Sequence, residues 1–292
     1  MGGGGGQWQG GDGGRPFAPP EILPPLGENE PARPHDYVYR TVSAPPPPAQ
    51  PQRQPLLRWR AAPATYVLVG INLLVFALMA GSGVSVTNPG SDDLIRWGAT
   101  DGQAVLAGQW WRLLTSTFVH IGIIHLATNM WCLWNLGLLG EPLVGPLGLA
   151  AVYLLTGTAG NVLSVAVNPN VTGAGASGAV FGIAGLLIVL LKNAHLPVPK
   201  TELQRLRRSV IYFALLNFVI GFGTWAFQTT IRIDNMAHLG GFLSGLALGV
   251  PLAPRLMSGR AKYYRRQQLV FGAAFVLLVA AGFFVSSFRG DR

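Results

Sequence analysis

The chain reads as an all-α polytopic membrane protein, a six-span helical bundle followed by a C-terminal seventh span. Three observations predict that class. Half of the 292 residues are hydrophobic and only 11% are charged, against about 25% charged in an ordinary soluble domain. Mean hydropathy is +0.37. Apolar stretches approaching the ~20 residues that cross a bilayer recur along most of the chain. The net charge of +9 does not mark a nucleic-acid partner, because the arginines form no reading surface and cluster between the apolar stretches, as the positive-inside rule describes.

The elements follow in order. Residues 1–61 are rich in Gly, Pro and Arg and include the run PPPP at 45–48. Such a segment cannot bury a core, so a disordered or polyproline-like tail is expected. Its opening MGGGGGQWQG lacks the basic-then-apolar pattern of a signal peptide. It also lacks the Ser or Thr of a myristoylation site. Spans are then expected at roughly 63–80, 120–139, 147–167, 176–191, 209–227, 236–252 and 269–288, the fourth being short. The first six make a membrane domain over 62–252. Residues 253–292 add a basic loop and the seventh span. The single cysteine, Cys132, excludes an intramolecular disulfide.

Charge sets the expected orientation. The tail, the connection between spans four and five, and the connection between spans six and seven share one side and hold 16 of the 21 Lys and Arg. The rule places the N-terminus in the cytoplasm and the C-terminus outside. Short loops and the absence of a transit peptide point to a bacterial plasma membrane.

Polar groups within a bilayer are costly and mark function or burial in the bundle. His125, Asn129, Ser177 and His238 stand out, with His120 at the entrance to span two. Spans two, four and six run in the same direction in this topology, and each polar position lies in the first half of its span. All therefore sit at similar depth below the outer surface. A metal site is disfavoured: His120 and His125 are five residues apart, about 140° around a helix, and no Asp, Glu or Cys joins them. His125 and Asn129, four apart, share a face. Taken singly, each residue suits hydrogen-bonded glue between helices. Taken together, Ser177 and His238 make a minimal nucleophile and general base, and His125 and Asn129 supply donors for an oxyanion. Ser177 also lies near a helix N-terminus, where its own N–H and the dipole favour negative charge. Gly178 and Gly182 in span four, and Gly241, Gly245 and Gly249 in span six, recur every four residues. That spacing lets two helix backbones approach closely and would bring Ser177 and His238 together.

These motifs resemble the rhomboid family of intramembrane serine proteases. GASG at 175–178 is similar to the family's Gly-x-Ser-Gly nucleophile motif, HIGIIHLATN at 120–129 to its His-x4-His-x3-Asn signature, and NMAHLGG at 235–241 to its histidine helix. WR at 111–112 looks like the Trp-Arg of the family's first external loop. The resemblance covers roughly 62–252. It implies a Ser177–His238 dyad without an acid, so that Asp234, four residues before His238, is not expected to complete a triad. It also implies an oxyanion hole of His125, Asn129 and the Ser177 N–H. Gly175 and Gly178 would allow the tight turn and close packing around Ser177, and Phe181 would set an aromatic ring against the base, these three bordering the substrate.

The expected activity is therefore endopeptidase cleavage of transmembrane-helix substrates near the outer face, with no cofactor and no metal. The partners are transmembrane proteins and the lipid bilayer, and no oligomeric state is assigned. Two other classes remain open. A non-catalytic binder of transmembrane clients would not need both Ser177 and His238. A small transporter would ideally carry an internal repeat, and none is evident.

Overall fold

A computed structural model describes residues 62–192, 199–226, 233–253 and 260–290, all within one compact unit, Pro55–Arg292. The expected tail at 1–61 lies outside the described residues. Seven long helices dominate: α1 (Pro63–Gly81), α5 (Gly122–Val144), α6 (Pro146–Val167), α7 (Ser177–Leu190), α8 (Lys200–Ala226), α9 (Asn235–Leu252) and α10 (Arg260–Gly290). Short helices α2 (Ser91–Arg96), α3 (Gly102–Leu106) and α4 (Arg112–Thr115) fold the connection between α1 and α5. Strands β1 (Thr100–Asp101) and β2 (Thr172–Gly173) pair antiparallel.

Among the described residues, four helical stretches are long and apolar enough to cross a membrane: Pro63–Gly81, Pro146–Val167, Lys200–Thr224 and Ala261–Ser287. Helices α5 and α9 occupy the expected second and sixth spans but are diluted by His125, Asn129, Glu141 and His238. Helices α8 and α10 begin about nine residues before the expected starts, running on through Arg205–Arg208 and Lys262–Arg266. Those flanks contain no helix breaker, so hydropathy falls while the helix continues.

Helix α7 is the hub. Its 14 residues span only about 21 Å at ~1.5 Å per residue, less than a ~30 Å hydrocarbon core. It tolerates that length because protein, not lipid, surrounds it: every residue is buried except Ser177, Ile188 and Val189. A helix apolar all round belongs inside a bundle. Glycines bring its neighbours to backbone contact. A Cβ on Gly245 would lie 2.7 Å from the Gly182 carbonyl carbon, and one on Gly241 would lie 2.8 Å from that of Gly178. Pairing 178 with 241 and 182 with 245 makes α7 and α9 parallel neighbours. Helix α6 packs antiparallel across both: a Cβ on Gly157 would lie 3.2 Å from Ala179 Cβ, and one on Gly240 would lie 3.0 Å from Gly160 Cα.

Polar ties fasten the outer helices. At the far end of α5, the buried Glu141 carboxyl caps α1, accepting from Ala64 N (2.9 Å), Thr65 N (2.8 Å) and Thr65 Oγ1 (2.7 Å). These are orphan N–H groups of the first helical turn. Gly145, with φ +78, turns the chain from α5 into Pro146, which opens α6 in the position where a missing N–H costs nothing. The polar start of α10 closes the C-terminal carbonyls of its neighbours. Gln267 Nε2 donates to Val144 O (2.7 Å) and Arg266 Nη2 to Ala253 O (2.8 Å). Its other end meets the α1–α5 connection, where Phe283 packs edge-on against Trp110 at 4.3 Å.

Candidate active site

The N-termini of α5, α7 and α9 converge at the end of the bundle that carries the α1–α5 connection. Ser177 is the first residue of α7. Its own N–H therefore belongs to the set with no partner inside the helix. The chain leading to it is held at two successive residues. Gly175 N donates to Ser116 O (2.9 Å). Ala176 N donates to His120 Nε2 (3.4 Å). The fully buried His120 also sets Nδ1 3.3 Å from Phe118 O. A neutral ring protonated on Nδ1 satisfies both bonds. The β1–β2 pair, Thr100 with Gly173 and Asp101 with Thr172, adds a third tie.

The support behind this loop is itself hydrogen-bonded. Thr100 Oγ1 donates to Ser116 Oγ (2.7 Å), and Asn161 Nδ2 on α6 donates to Leu113 O (2.8 Å) and Ser116 Oγ (2.8 Å). Arg112, buried, binds Ala99 O (3.1 Å) through Nη1 and Gln109 Oε1 (2.6 Å) through Nε. Trp111 lies under its guanidinium at 4.5 Å and is about half exposed. The Trp-Arg pair thus fastens the connection internally. His120 lies ahead of α5 rather than on it, because that helix begins at Gly122.

His125 is one turn into α5, and its Nδ1 accepts from Ile121 N (3.3 Å). That bond leaves Nε2 as the protonated, donating nitrogen. The ring lies against the backbone at Gly175, where a Cβ would come within 2.6 Å of Cε1 and 3.0 Å of Nε2. Gly175 has φ +130, so absence of a side chain serves both the backbone turn and the ring's approach. Asn129, buried on the same helix face, donates Nδ2 to His125 O (2.9 Å). One of its amide hydrogens is thus engaged locally, and the other stays available.

His238 is one turn into α9 and 5% exposed. Its ring stacks on Phe181 of α7 at 4.3 Å and 17°, and Phe218 of α8 packs edge-on against both rings. Gly178, next to Ser177, faces α9: a Cβ there would lie 3.3 Å from Ala237 O, next to His238. Ser177 and His238 are therefore flanked by residues in direct contact. No Ser177–His238 hydrogen bond of 3.5 Å or less forms among the described residues. Asp234 caps α9, its Oδ1 accepting from Met236 N (3.1 Å) and Ala237 N (2.9 Å). Its Oδ2 accepts from Ser164 (2.5 Å). This carboxylate positions the helix and does not touch the imidazole. His195, the remaining histidine of the membrane domain, lies outside the described residues.

Sequence reasoning missed His120 as a clasp on the serine loop and Asn161 and Ser116 as its support. The His-x4-His spacing was a signal for His120 only once the first histidine was placed off the helix.

Comparison with known proteins assigns the family. A family model described as a rhomboid domain matches residues 107–255. The chain is 36% identical over 194 residues to rhomboid protease GluP of Bacillus subtilis, covering 65% of this chain and 35% of that protein. It is 34% identical over 208 residues to the mitochondrial RHOMBOID-like protein 6 of Arabidopsis thaliana, covering 66% of this chain and 64% of the relative. It is also 34% identical over 135 residues to inactive RHOMBOID-like protein 8 of Arabidopsis, covering 46% of this chain and 36% of the relative. The chain thus spans about a third to two thirds of the length of these relatives, and they include a protein named a protease and one named inactive. With a rhomboid domain matched over half of its length, this chain belongs to the rhomboid family, in general a family of intramembrane serine proteases.

Proposed function

We propose that this chain is an active intramembrane serine endopeptidase that cuts transmembrane-helix substrates near the outer membrane face. The observation that carries the proposal is the parallel, glycine-lined packing of α7 on α9, with Phe181 of the serine helix stacked on His238. In this reading Ser177 Oγ attacks the scissile carbonyl carbon and its proton passes to His238 Nε2. The tetrahedral oxyanion takes hydrogen bonds from His125 Nε2–H, the free Asn129 amide hydrogen and the Ser177 N–H. His238 then returns the proton to the leaving amine. Water, activated by the same imidazole, hydrolyses the acyl ester and restores the serine. Gly175, Gly178 and Phe181 keep the serine turn and the base in register where substrate passes.

The topology that fits is six spans plus α10, with the N-terminus cytoplasmic, the C-terminus external and the domain division at 62–252. Helix-breaking residues near the substrate's outer end would aid cleavage, since a hydrogen-bonded helix resists it. The test is labelling of the detergent-solubilised protein with a fluorophosphonate probe, comparing wild type, Ser177→Ala and His238→Ala. Wild type alone should label. A folded wild type that labels no more than Ser177→Ala, and that cleaves no transmembrane substrate in liposomes, would leave a client-binding protein as the better reading.

A further inference from the structure

Two polar atoms on α9 are sealed from solvent without a hydrogen-bond partner: His238 Nδ1 and Asn235 Oδ1. The mechanism above uses the first residue and gives the second no task. The two residues are three apart at the start of one helix, so they share a face with Cβ atoms about 5–6 Å apart. Helix α8 lies against both. Phe218 presents its edge to the His238 ring at 6.4 Å. Gly221, three residues further along α8, backs Asn235: a Cβ there would collide with Asn235 Oδ1 and lie 3.1 Å from its Cγ. The missing side chain at 221 is the space the Asn235 amide occupies.

The two orphan atoms are chemically complementary. A general base that uses Nε2 carries its proton on Nδ1, which is then a donor only, while an amide oxygen is an acceptor only. Leaving both buried and unpaired is unfavourable by the full desolvation of each group. The neighbouring acid cannot serve instead, because Asp234 is committed to the helix cap and to Ser164.

We propose that Asn235 is the positioning residue of the general base: its amide oxygen accepts the His238 Nδ1 proton, directly or through one water. The pairing fixes the tautomer that leaves the Nε2 lone pair facing Ser177, and it steadies the imidazolium once the proton arrives. A neutral amide does this more weakly than a carboxylate, but without a second buried charge beside the bilayer. This inference rests on the protease reading for its role in catalysis, though the pairing itself does not.

The test uses the full chain, ring-15N-labelled at histidine, in detergent. The variants are Asn235→Leu, which removes the acceptor at similar volume, Asn235→Asp, which keeps an oxygen there, and Gly221→Ala, which displaces the Asn235 amide without altering it. Histidine nitrogen shifts, assigned by difference against His238→Gln, report the tautomer, and fluorophosphonate labelling reports reactivity. Wild type should hold the Nδ1–H tautomer. Asn235→Leu and Gly221→Ala should give mixed tautomers and label about tenfold more slowly, the scale of one hydrogen bond. Asn235→Asp should restore both readings. Retention of a single Nδ1–H tautomer in Asn235→Leu overturns the proposal, as does equal loss of labelling in the Leu and Asp variants without tautomer change. Should Asn235→Leu fail to fold, Gly221→Ala decides by the same criteria. A wild type that does not label removes the protease reading, while its nitrogen shifts still decide the pairing.

Discussion

Gly245→Ala tests whether helix contact, rather than direct bonding, sets the distance between Ser177 and His238. Gly245 touches neither residue. It lies seven residues beyond His238, about 10 Å along α9 at ~1.5 Å per residue. An added Cβ would sit 2.7 Å from the Gly182 carbonyl carbon and 2.9 Å from its Cα, whereas ordinary contact begins at 3.4 Å. The obstacle is backbone inside a helix and cannot rotate aside. Helix α9 must therefore retreat from α7 by about 1 Å, and overpacking of this kind costs about 1–3 kcal/mol. Retreat toward α6 has little room, because even one added carbon on Gly240 would sit 3.0 Å from Ala159 O and Gly160 Cα. The displacement is passed along α9 to His238. A shift near 1 Å in a reacting geometry costs on the order of 100-fold in rate. The assay is the fluorophosphonate labelling rate of the folded fraction, read beside thermal unfolding in detergent. Gly272→Ala is the control, since nothing lies within 4 Å of a Cβ there, and a helical Gly→Ala gains roughly 0.5–1 kcal/mol. If Gly245→Ala unfolds and labels like wild type, the glycine ladder does not set the distance between Ser177 and His238.

Two further predictions separate stability from reactivity. Glu141→Gln turns one of the two accepting oxygens into a donor, so that Ala64 N or Thr65 N faces an N–H, and should cost about 1–3 kcal/mol in unfolding; at the opposite end of α5 from His125, it should leave the labelling rate of the folded fraction unchanged. His120→Phe fills the same space but leaves the Ala176 N–H without its acceptor. It should cost a similar 1–3 kcal/mol and also slow labelling by about tenfold, because the next residue is Ser177; lowered stability with unchanged labelling would remove His120 from the serine loop's support.

The bundle was legible where spacing along one helix encodes the contact. Glycines every four residues in 178–182 and 241–249 forecast a close helix pair, and the structure places α7 on α9 along that ladder. Charge placed His125, Ser177 and His238 at a shared expected depth, and the structure sets them at the N-terminal ends of α5, α7 and α9. The α1–α5 connection was not legible. Its helices are four to six residues long, too short for a periodic signal, and its two-residue strand pairs with a partner more than 70 positions away. Glu141 escaped notice for a related reason: a carboxyl near the end of an apolar helix reads as a flank, and its role appears only when α1, 76 residues earlier, is set against it. Early starts of α8 and α10 escaped because hydropathy marks where lipid would be tolerated and not where hydrogen-bonded helix ends.

The distribution of polar bonds explains how Ser177 and His238 are each held without a bond between them. Ser177 and His238 are joined by no short hydrogen bond, yet each is fixed from behind, the serine by His120, Ser116 and the β1–β2 pair, the histidine by Phe181 and the Asp234 cap. On the proposed protease reading, loop and helix constraints of that kind persist when a substrate's backbone enters between Ser177 and His238, whereas a strong direct bond would have to be broken first. The two halves meet through the α6–α7–α9 packing, with Phe218 of α8 against both Phe181 and His238. Substitutions in that packing should alter the approach of His238 to Ser177, and substitutions in the α1–α5 connection should alter the serine turn while leaving the His238–Phe181 stack in place. The His238 ring nitrogen shifts distinguish the two classes directly: they should move in Gly245→Ala and remain at their wild-type values in His120→Phe. Movement in both would mean that the serine loop and the histidine helix are coupled through a path other than the glycine contacts.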